Sequence, residues 1–129
     1  MFTITKEFRF EAAHKLPKHD GKCQRLHGHS WRMRVVCVGE TLYDVGPKSG
    51  MLLDFGDVSK AVKPLVEEKL DHFYLNETTG LENPTSEELA QWIYIELKPI
   101  LKDYLVAVEV DETCTSSCRF QPTFNHIEQ

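Results

Sequence analysis

Hydrophobic and polar residues alternate along three stretches of the chain, at residues 2–14, 27–38 and 104–113. In the first stretch the apolar side chains occupy even positions, and in the second they occupy odd positions. Successive side chains of a strand point to opposite faces, so this period of two predicts strands that each bury one face. A further short strand is expected near Cys118.

Two stretches between the second and third predicted strands have helical spacing instead. The first helix is predicted from Asp57 to Leu70, and Pro64 should kink or divide it because proline removes a backbone hydrogen bond. Thr85 and Glu88 stand in capping-box register at the start of the second helix. Its apolar stripe consists of Leu89, Trp92, Ile93, Leu97 and Ile100. The predicted element order is therefore β-β-α-α-β-β.

Three histidines lie on the buried faces of the first two predicted strands. His27 and His29 have the parity of Trp31, and His14 has the parity of Phe10. Residues i and i+2 of a strand face the same side about 7 Å apart, and antiparallel pairing would bring all three imidazoles to one end of the sheet. Three neutral imidazoles can bind zinc and leave one position for water or substrate, as in catalytic sites. The alternative is a set of core histidines satisfied by protein hydrogen bonds.

Four other residues carry candidate chemistry. Cys23, in the polar loop before His27, is expected to be partly exposed, and a thiol near a cation can serve as base or nucleophile. Asp71 and His72 at the end of the first helix could form a proton relay, although a helix C-cap is the alternative. Glu112 has the parity of three valines on the last long strand, Val106, Val108 and Val110. A carboxylate on that inward face needs a hydrogen-bond donor, because its burial is otherwise costly.

Composition narrows the class of protein. The 129 residues carry a net charge of −5, which suits one domain over residues 1–129 and argues against nucleic acid as a partner. The sequence contains neither a membrane-spanning apolar run nor a signal-peptide pattern, so a cytoplasmic location with reduced cysteines is expected. His19 and His126 are interpreted as surface residues, and Cys114 and Cys118 as ordinary thiols.

Six segments together resemble the 6-pyruvoyl-tetrahydropterin synthase superfamily, from about residue 2 to 120. They are FRFEAAHKLP, CQRLHGHSW, LLDFGDV, LDHFYLN, ENPTSEELAQWI and ETCTSSC. The resemblance is closest to the bacterial 6-carboxy-tetrahydropterin synthases of queuosine biosynthesis. It implies an α+β T-fold, or tunnelling fold: a four-stranded antiparallel sheet with two helices on one face. It also implies that subunits join into a barrel, as trimers stacked into a homohexamer. The charged face of the sheet could line the lumen of that barrel, although plain solvent exposure explains this face equally well.

The function that the resemblance implies is that of a zinc-dependent lyase. Its substrate would be 7,8-dihydroneopterin triphosphate, and its products 6-carboxy-5,6,7,8-tetrahydropterin, acetaldehyde and triphosphate, with no organic cofactor. The implied site residues are the zinc ligands His14, His27 and His29, the proton acceptor Cys23, the relay pair Asp71 and His72, the pterin anchor Glu112, and the assisting Thr113 and Thr115.

Three alternatives remain open at this point. Within the superfamily, a 6-pyruvoyl-tetrahydropterin synthase would eliminate triphosphate and keep the side-chain carbons. A non-catalytic metal-binding T-fold protein would not need Cys23, Asp71, His72 or Glu112. A thiol hydrolase using Cys23 and His72 would cleave esters without zinc.

Overall fold

Two long strands form the centre of the molecule, which we describe from a computed structural model over residues 1–123. Strand β1 (Phe2–His14) pairs antiparallel with β2 (His27–Gly39), so that Phe10 lies opposite Trp31 and His14 lies opposite His27. Both strands have the predicted bounds to within one residue. The connection between them contains a 3-10 turn, Lys22–Gln24.

Within residues 1–123 the sheet has five strands, in the order β3 (Phe73–Tyr74), β1, β2, β4 (Leu105–Thr113) and β5 (Ser116–Phe120). Strands β4 (Leu105–Thr113) and β5 (Ser116–Phe120) continue the antiparallel arrangement, as predicted. The expectation of a purely antiparallel, four-stranded sheet was incomplete, because β3 (Phe73–Tyr74) pairs parallel with the outer edge of β1. The backbone N–H of His72 donates to the carbonyl of Glu11 and starts this pairing.

Helix α1 (Phe55–Leu65) ends one residue after Pro64, and the chain continues as a wider π-type turn over Val66–Leu70. That turn is closed by a 2.7 Å hydrogen bond from the N–H of Asp71 to the carbonyl of Val66. The prediction was that Pro64 kinks or divides the helix; the backbone changes pitch one residue after Pro64 but continues without a break to Leu70, the predicted end of the helix. A single-turn helix, α2 (Leu75–Thr78), follows β3.

Helix α3 (Ser86–Leu101) begins where its capping signal predicted, with the Thr85 hydroxyl accepting from the N–H of Glu88. The predicted apolar stripe was wrong at its last position. Ile100 is 56% exposed, and Leu101 is buried instead. The change follows from the helical period, because one turn after buried Leu97 falls between positions 100 and 101.

The core fills the space between one face of the sheet and helices α1 and α3, and its largest buried side chains are Trp31, Phe10 and Met33. On β4 the predicted valine face was wrong at Val106. A β-bulge opposite Val36 and Cys37 shifts the phase, so Val106 is only partly buried whereas Val108 and Val110 are fully buried. Among residues 1–123, the helices lack the length and hydrophobicity that spanning a bilayer requires.

Candidate metal centre and its surroundings

The β1–β2 pairing brings three histidines to one end of the buried sheet face. His14 is opposite His27, and Ala12 is opposite His29, so all three rings meet on the side of the core. One nitrogen from each ring lies within 4.8 Å of the others. Glu112, at the end of β4, is the nearest charged neighbour in the described structure. The sequence phase thus placed the three predicted ligands together.

Backbone carbonyls fix the orientation of two of the rings. Nδ1 of His14 lies 2.8 Å from the carbonyl oxygen of Pro84, and Nδ1 of His27 lies 2.7 Å from that of Arg25. In each ring Nδ1–H is the donor, which leaves Nε2 as the nitrogen with a free lone pair. Histidines that bind metals are oriented in this way by hydrogen bonds at their other nitrogen.

The Nε2 atoms of His14, His27 and His29 are buried and have no hydrogen-bond partner in residues 1–123. Buried polar atoms are rarely left unpaired, so three such atoms facing one point require an explanation. A zinc ion fits the donor set, since it binds imidazole nitrogens and takes three protein ligands in open catalytic sites. The alternative of core histidines satisfied within the protein does not account for these atoms.

Burial also favours the protonation state that binds metal. Desolvation is the main cause that lowers the pKa of His14, and the neighbouring His27 and His29 lower it further, against the opposing effects of the Pro84 carbonyl and of Glu112. Desolvation likewise lowers the pKa of His29. Both rings are therefore held in the neutral form, which is the form that coordinates a cation.

Glu112 lies beside the cluster with its carboxylate directed at two of the histidines. Its Oε2 is 3.6 Å from Nε2 of His29, and its Oε1 is 3.9 Å from Nε2 of His14. The hydroxyl of Ser86, the first residue of α3, donates to Oε1 at 3.3 Å. The carboxylate thus has one donor from the protein and is 25% exposed, so it can accept further hydrogen bonds from a ligand.

A pocket of about 610 Å³ adjoins the cluster and is lined by His29, Glu112 and Thr113. Thr115 is not among its lining residues. The backbone N–H of Thr115 donates to the Thr113 hydroxyl at 3.3 Å, which places Thr115 in the turn that supports Thr113. Thr113 therefore borders the space next to Glu112, and Thr115 does not.

Cys23 lies in the 3-10 turn before β2 and is half-buried, as expected. The backbone N–H of Leu16 donates to its carbonyl at 3.0 Å, which fixes the turn. Cys23 does not belong to the group of converging ligand atoms, which consists of the three histidines among residues 1–123. The thiol is therefore not one of the converging ligand atoms.

Asp71 and His72 form the predicted pair, with Asp71 Oδ2 3.0 Å from Nδ1 of His72. Asp71 Oδ1 accepts from the backbone N–H of Glu11 at 2.9 Å, and this bond, followed by the one from His72, lowers the pKa of Asp71. His72 is 78% exposed and lies outside the histidine cluster, but it lines a 520 Å³ pocket together with His29 and Ser30. Asp71 is also the C-cap of the π-type turn, so the alternative structural role is met as well.

Sequence reasoning missed the residues that orient the site, namely Arg25, Pro84 and Ser86. The signal was present only in part, because Thr85 marks the start of α3 but nothing in the sequence places that helix end beside Glu112. Of the two histidines interpreted as surface residues, His19 is exposed as predicted, and His126 lies outside the described residues.

The sequence model of the 6-pyruvoyl tetrahydropterin synthase family matches residues 3–123 of the chain. The chain belongs to this family. Within it, the 6-carboxy-5,6,7,8-tetrahydropterin synthase of Synechocystis sp. is 51% identical over 120 residues, which is 93% of each chain. The Haemophilus influenzae protein of the same name is 34% identical over 141 residues, covering 94% of this chain and 99% of its own.

Structural comparison agrees with the family assignment. The solved structure of the Caenorhabditis elegans 6-pyruvoyl tetrahydropterin synthase matches with a TM-score of 0.79 and 26% identity, covering 95% of this chain and 96% of that chain. The predicted α+β T-fold is therefore confirmed, with the sheet of one chain open rather than closed. The resemblance to the 6-carboxy-tetrahydropterin branch is confirmed too, and the chain is an enzyme of the lyase type.

Proposed function

We propose that the protein converts 7,8-dihydroneopterin triphosphate to 6-carboxy-5,6,7,8-tetrahydropterin, with release of acetaldehyde and triphosphate, as a zinc-dependent cytoplasmic enzyme of queuosine biosynthesis. One observation carries the proposal: three orphaned imidazole nitrogens face one point beside a carboxylate. The 51% identity to a 6-carboxy-tetrahydropterin synthase supports the choice of reaction.

His14, His27 and His29 would hold the zinc through Nε2, with the Pro84 and Arg25 carbonyls keeping two rings in position. When bound, zinc supplies a Lewis acid for the side-chain oxygens of the substrate, which makes the neighbouring C–H bonds more acidic. The chain contributes a buried surface behind the three rings, because His14 is fully buried. Substrate therefore approaches from the side of Glu112 and the pockets that His29 lines.

Two groups are proposed to move protons. Cys23 accepts a proton from the substrate side chain, since its half-buried turn immediately precedes the ligands His27 and His29. His72 transfers a second proton through Nε2, while Asp71 holds its Nδ1 at 3.0 Å and fixes the tautomer. His72 and His29 both line one pocket, and this shared lining is the observation that favours a relay from His72 to the site.

Glu112 is proposed to anchor the pterin ring. A carboxylate can accept two parallel N–H bonds from the 2-amino group and N3 of the pterin edge. The Ser86 hydroxyl already orients one oxygen, and the N-terminus of α3 places its positive dipole end next to the carboxylate. Thr113 lines the same pocket and is positioned to assist.

A homohexamer built from two trimers is proposed as the working assembly. Within one chain the sheet ends at β3 and β5, and edge strands offer unpaired backbone groups for pairing with another copy. His72 lies next to the β3 edge, so assembly would also enclose its pocket.

The proposal is tested by incubating zinc-loaded protein with 7,8-dihydroneopterin triphosphate and identifying the products by mass. We expect 6-carboxy-tetrahydropterin and acetaldehyde in equal amounts, and none with the His27→Ala variant as control. A pyruvoyl product without acetaldehyde would favour the second candidate, which a 31%-identical Dictyostelium discoideum relative named 6-pyruvoyl tetrahydrobiopterin synthase supports. If the zinc-loaded protein does not convert the substrate, the remaining interpretation is a non-catalytic metal-binding protein. Ester cleavage by the zinc-free protein would favour a thiol hydrolase.

A further inference from the structure

We propose that Trp31 is a positioning residue of the metal centre, whose indole fixes the rings of His14 and His29. The inference rests on the proposed zinc site and goes beyond it, because it assigns metal affinity to a residue that does not touch the metal. Trp31 is fully buried and stands two residues after His29 on β2, on the same face of the sheet.

The indole makes edge-to-face contacts with two of the three predicted ligands. Its ring centroid is 5.0 Å from that of His14 at an interplanar angle of 84°. It is 5.4 Å from that of His29, also at 84°. Perpendicular contacts at these distances are a preferred geometry for aromatic rings. Trp31 therefore restricts the planes of both imidazoles at once.

A hydrogen bond prevents the indole itself from turning. Nε1–H of Trp31 donates to the carbonyl oxygen of Ala12 at 3.1 Å. Ala12 is the residue of β1 that lies directly opposite His29. The side chain thus ties the two strands together at the point where their histidines must converge.

The three ligands differ in how they are held, and the difference points to Trp31. His14 and His27 each have a backbone carbonyl at Nδ1. Within the described chain, the Nδ1 atom of His29 has no such protein partner, so its ring is oriented by packing against aromatic neighbours, and Trp31 is the one of these that is not itself a predicted ligand. Trp31 supplies for His29 what the carbonyls of Pro84 and Arg25 supply for the other two.

Phe10 provides a matched control, because it is buried to the same degree in the same core. Its ring stacks on Trp31 at 6.0 Å, makes no ring contact with the three histidines within the described residues, and lies opposite Trp31 in the β1–β2 register. Truncating Phe10 should loosen the core without removing a contact to an imidazole. Trp31→Leu should loosen the core and also remove the ring contacts to His14 and His29. Trp31→Phe should keep an aromatic ring at this position but lose the Nε1–H donor.

The experiment measures zinc affinity by competition with a chelator for the parent, Trp31→Leu, Trp31→Phe and Phe10→Leu proteins. The visible spectrum of the Co²⁺-loaded forms and the unfolding midpoint of the metal-free forms are recorded in parallel. We expect Trp31→Leu to bind zinc about 10- to 100-fold more weakly, the range seen when a residue that orients a ligand is lost. Its cobalt spectrum should shift, Trp31→Phe should recover part of the affinity, and Phe10→Leu should lower the unfolding midpoint while binding zinc like the parent.

Parent-like zinc affinity in Trp31→Leu would overturn the inference, and so would an equal loss in Phe10→Leu. If Trp31→Leu does not fold, the comparison of Trp31→Phe with Phe10→Leu decides the question by the same criterion. Failure of the parent itself to bind zinc would contradict the proposed function as well. A parent that binds zinc and turns over substrate, beside Trp31 variants with unchanged affinity, would contradict only the role of Trp31.

Discussion

The polar groups on the two faces of the sheet differ in whether they have partners within the protein. On the face that packs against the helices, the Nε2 atoms of three histidines are buried without partners. On the other face, Arg32 and Arg34 of β2 lie opposite Asp111 and Glu109 of β4 and form ion pairs with them. Both arrangements are polar and partly buried, but only the first is incomplete without a ligand.

Arg34 is the centre of the paired face. Its guanidinium donates to both oxygens of Asp111, at 2.9 and 2.6 Å, and to Glu109 at 2.7 Å. Hydrogen bonds from Arg34 are the main cause that lowers the pKa of Asp111 and of Glu109, and the same bonds raise the pKa of Arg34. Arg119 adds a second partner to Glu109 at 2.7 Å.

The contrast distinguishes polar groups that stabilise the fold from polar groups that bind a ligand. A charge network in which every group is paired stabilises a fold. Several unpaired lone-pair nitrogens that face one point instead indicate a site for a ligand. Variants of the histidine end should therefore change chemistry more than stability. Variants of the arginine face should do the reverse.

The largest effect is expected for His27→Ala, which removes one of three ligands. Zinc content after dialysis and turnover of the pterin substrate should both fall to background, because two imidazoles do not make a stable catalytic site. Metal analysis and product formation measure the two losses. His19→Ala is the control, since His19 is an exposed histidine outside the cluster and should leave both values unchanged.

Cys23→Ala should separate metal binding from proton transfer. The thiol stands outside the converging nitrogens, so zinc content and pterin affinity should be kept. Turnover should fall by about 10²- to 10⁴-fold, which is what a positioned proton-transfer group contributes. Single-turnover kinetics on the zinc-loaded variant give the ratio, with Cys118→Ala as the control because Cys118 is half-buried like Cys23. Loss of zinc from Cys23→Ala would instead make the thiol a ligand.

Glu112→Gln should weaken pterin binding by about 10- to 1000-fold. The substitution replaces an acceptor by an NH₂ donor, and hydrogen bonds to a charged group contribute about 1.5–3 kcal/mol each, where 1.4 kcal/mol is tenfold. Zinc content should be unchanged. Calorimetric titration with a non-reacting pterin measures the effect, and equal affinity in variant and parent would remove Glu112 from the pterin pocket.

The smallest effect on chemistry is expected for Arg34→Met on the other face. The variant leaves Asp111 nearly buried without its main partner, and the free energy of unfolding should fall by about 2–4 kcal/mol, less than for a fully buried pair. Zinc affinity should not change. Replacing both partners, as Arg34→Met with Asp111→Leu, should recover much of the stability in denaturant unfolding. A large loss of zinc in Arg34→Met would contradict the claim that the arginine face contributes to stability and not to metal binding.

Much of this arrangement was predictable because it depends on period two. The parity of His14, His27 and His29 on two paired strands was enough to bring their rings together. The alternation of apolar and polar residues could not predict a β-bulge, which changes which residues of a strand face the core. The bulge beside Val36 moves Val106 off the buried face, because pairing with a neighbouring strand, not the sequence of β4 itself, decides where an extra residue is accommodated.

Long-range contacts were the other limit of the sequence. The carbonyl of Pro84 meets His14 across 70 positions of the chain, and Ser86 meets Glu112 across 26. The parallel strand β3 exists because the chain after α1 returns to the free edge of β1. Such contacts depend on how the helices pack on the sheet, which local periodicity does not specify.

The central claim, an open metal centre made of three imidazoles, is tested most directly by X-ray absorption at the zinc edge of the loaded protein. We predict one zinc per chain with three imidazole nitrogens at about 2.0–2.1 Å, a light-atom fourth ligand and no sulfur. The spectrum should change when a pterin substrate analogue is added, since the fourth position is then exchanged. A sulfur scatterer at about 2.3 Å would make the site closed and structural, and would contradict the account.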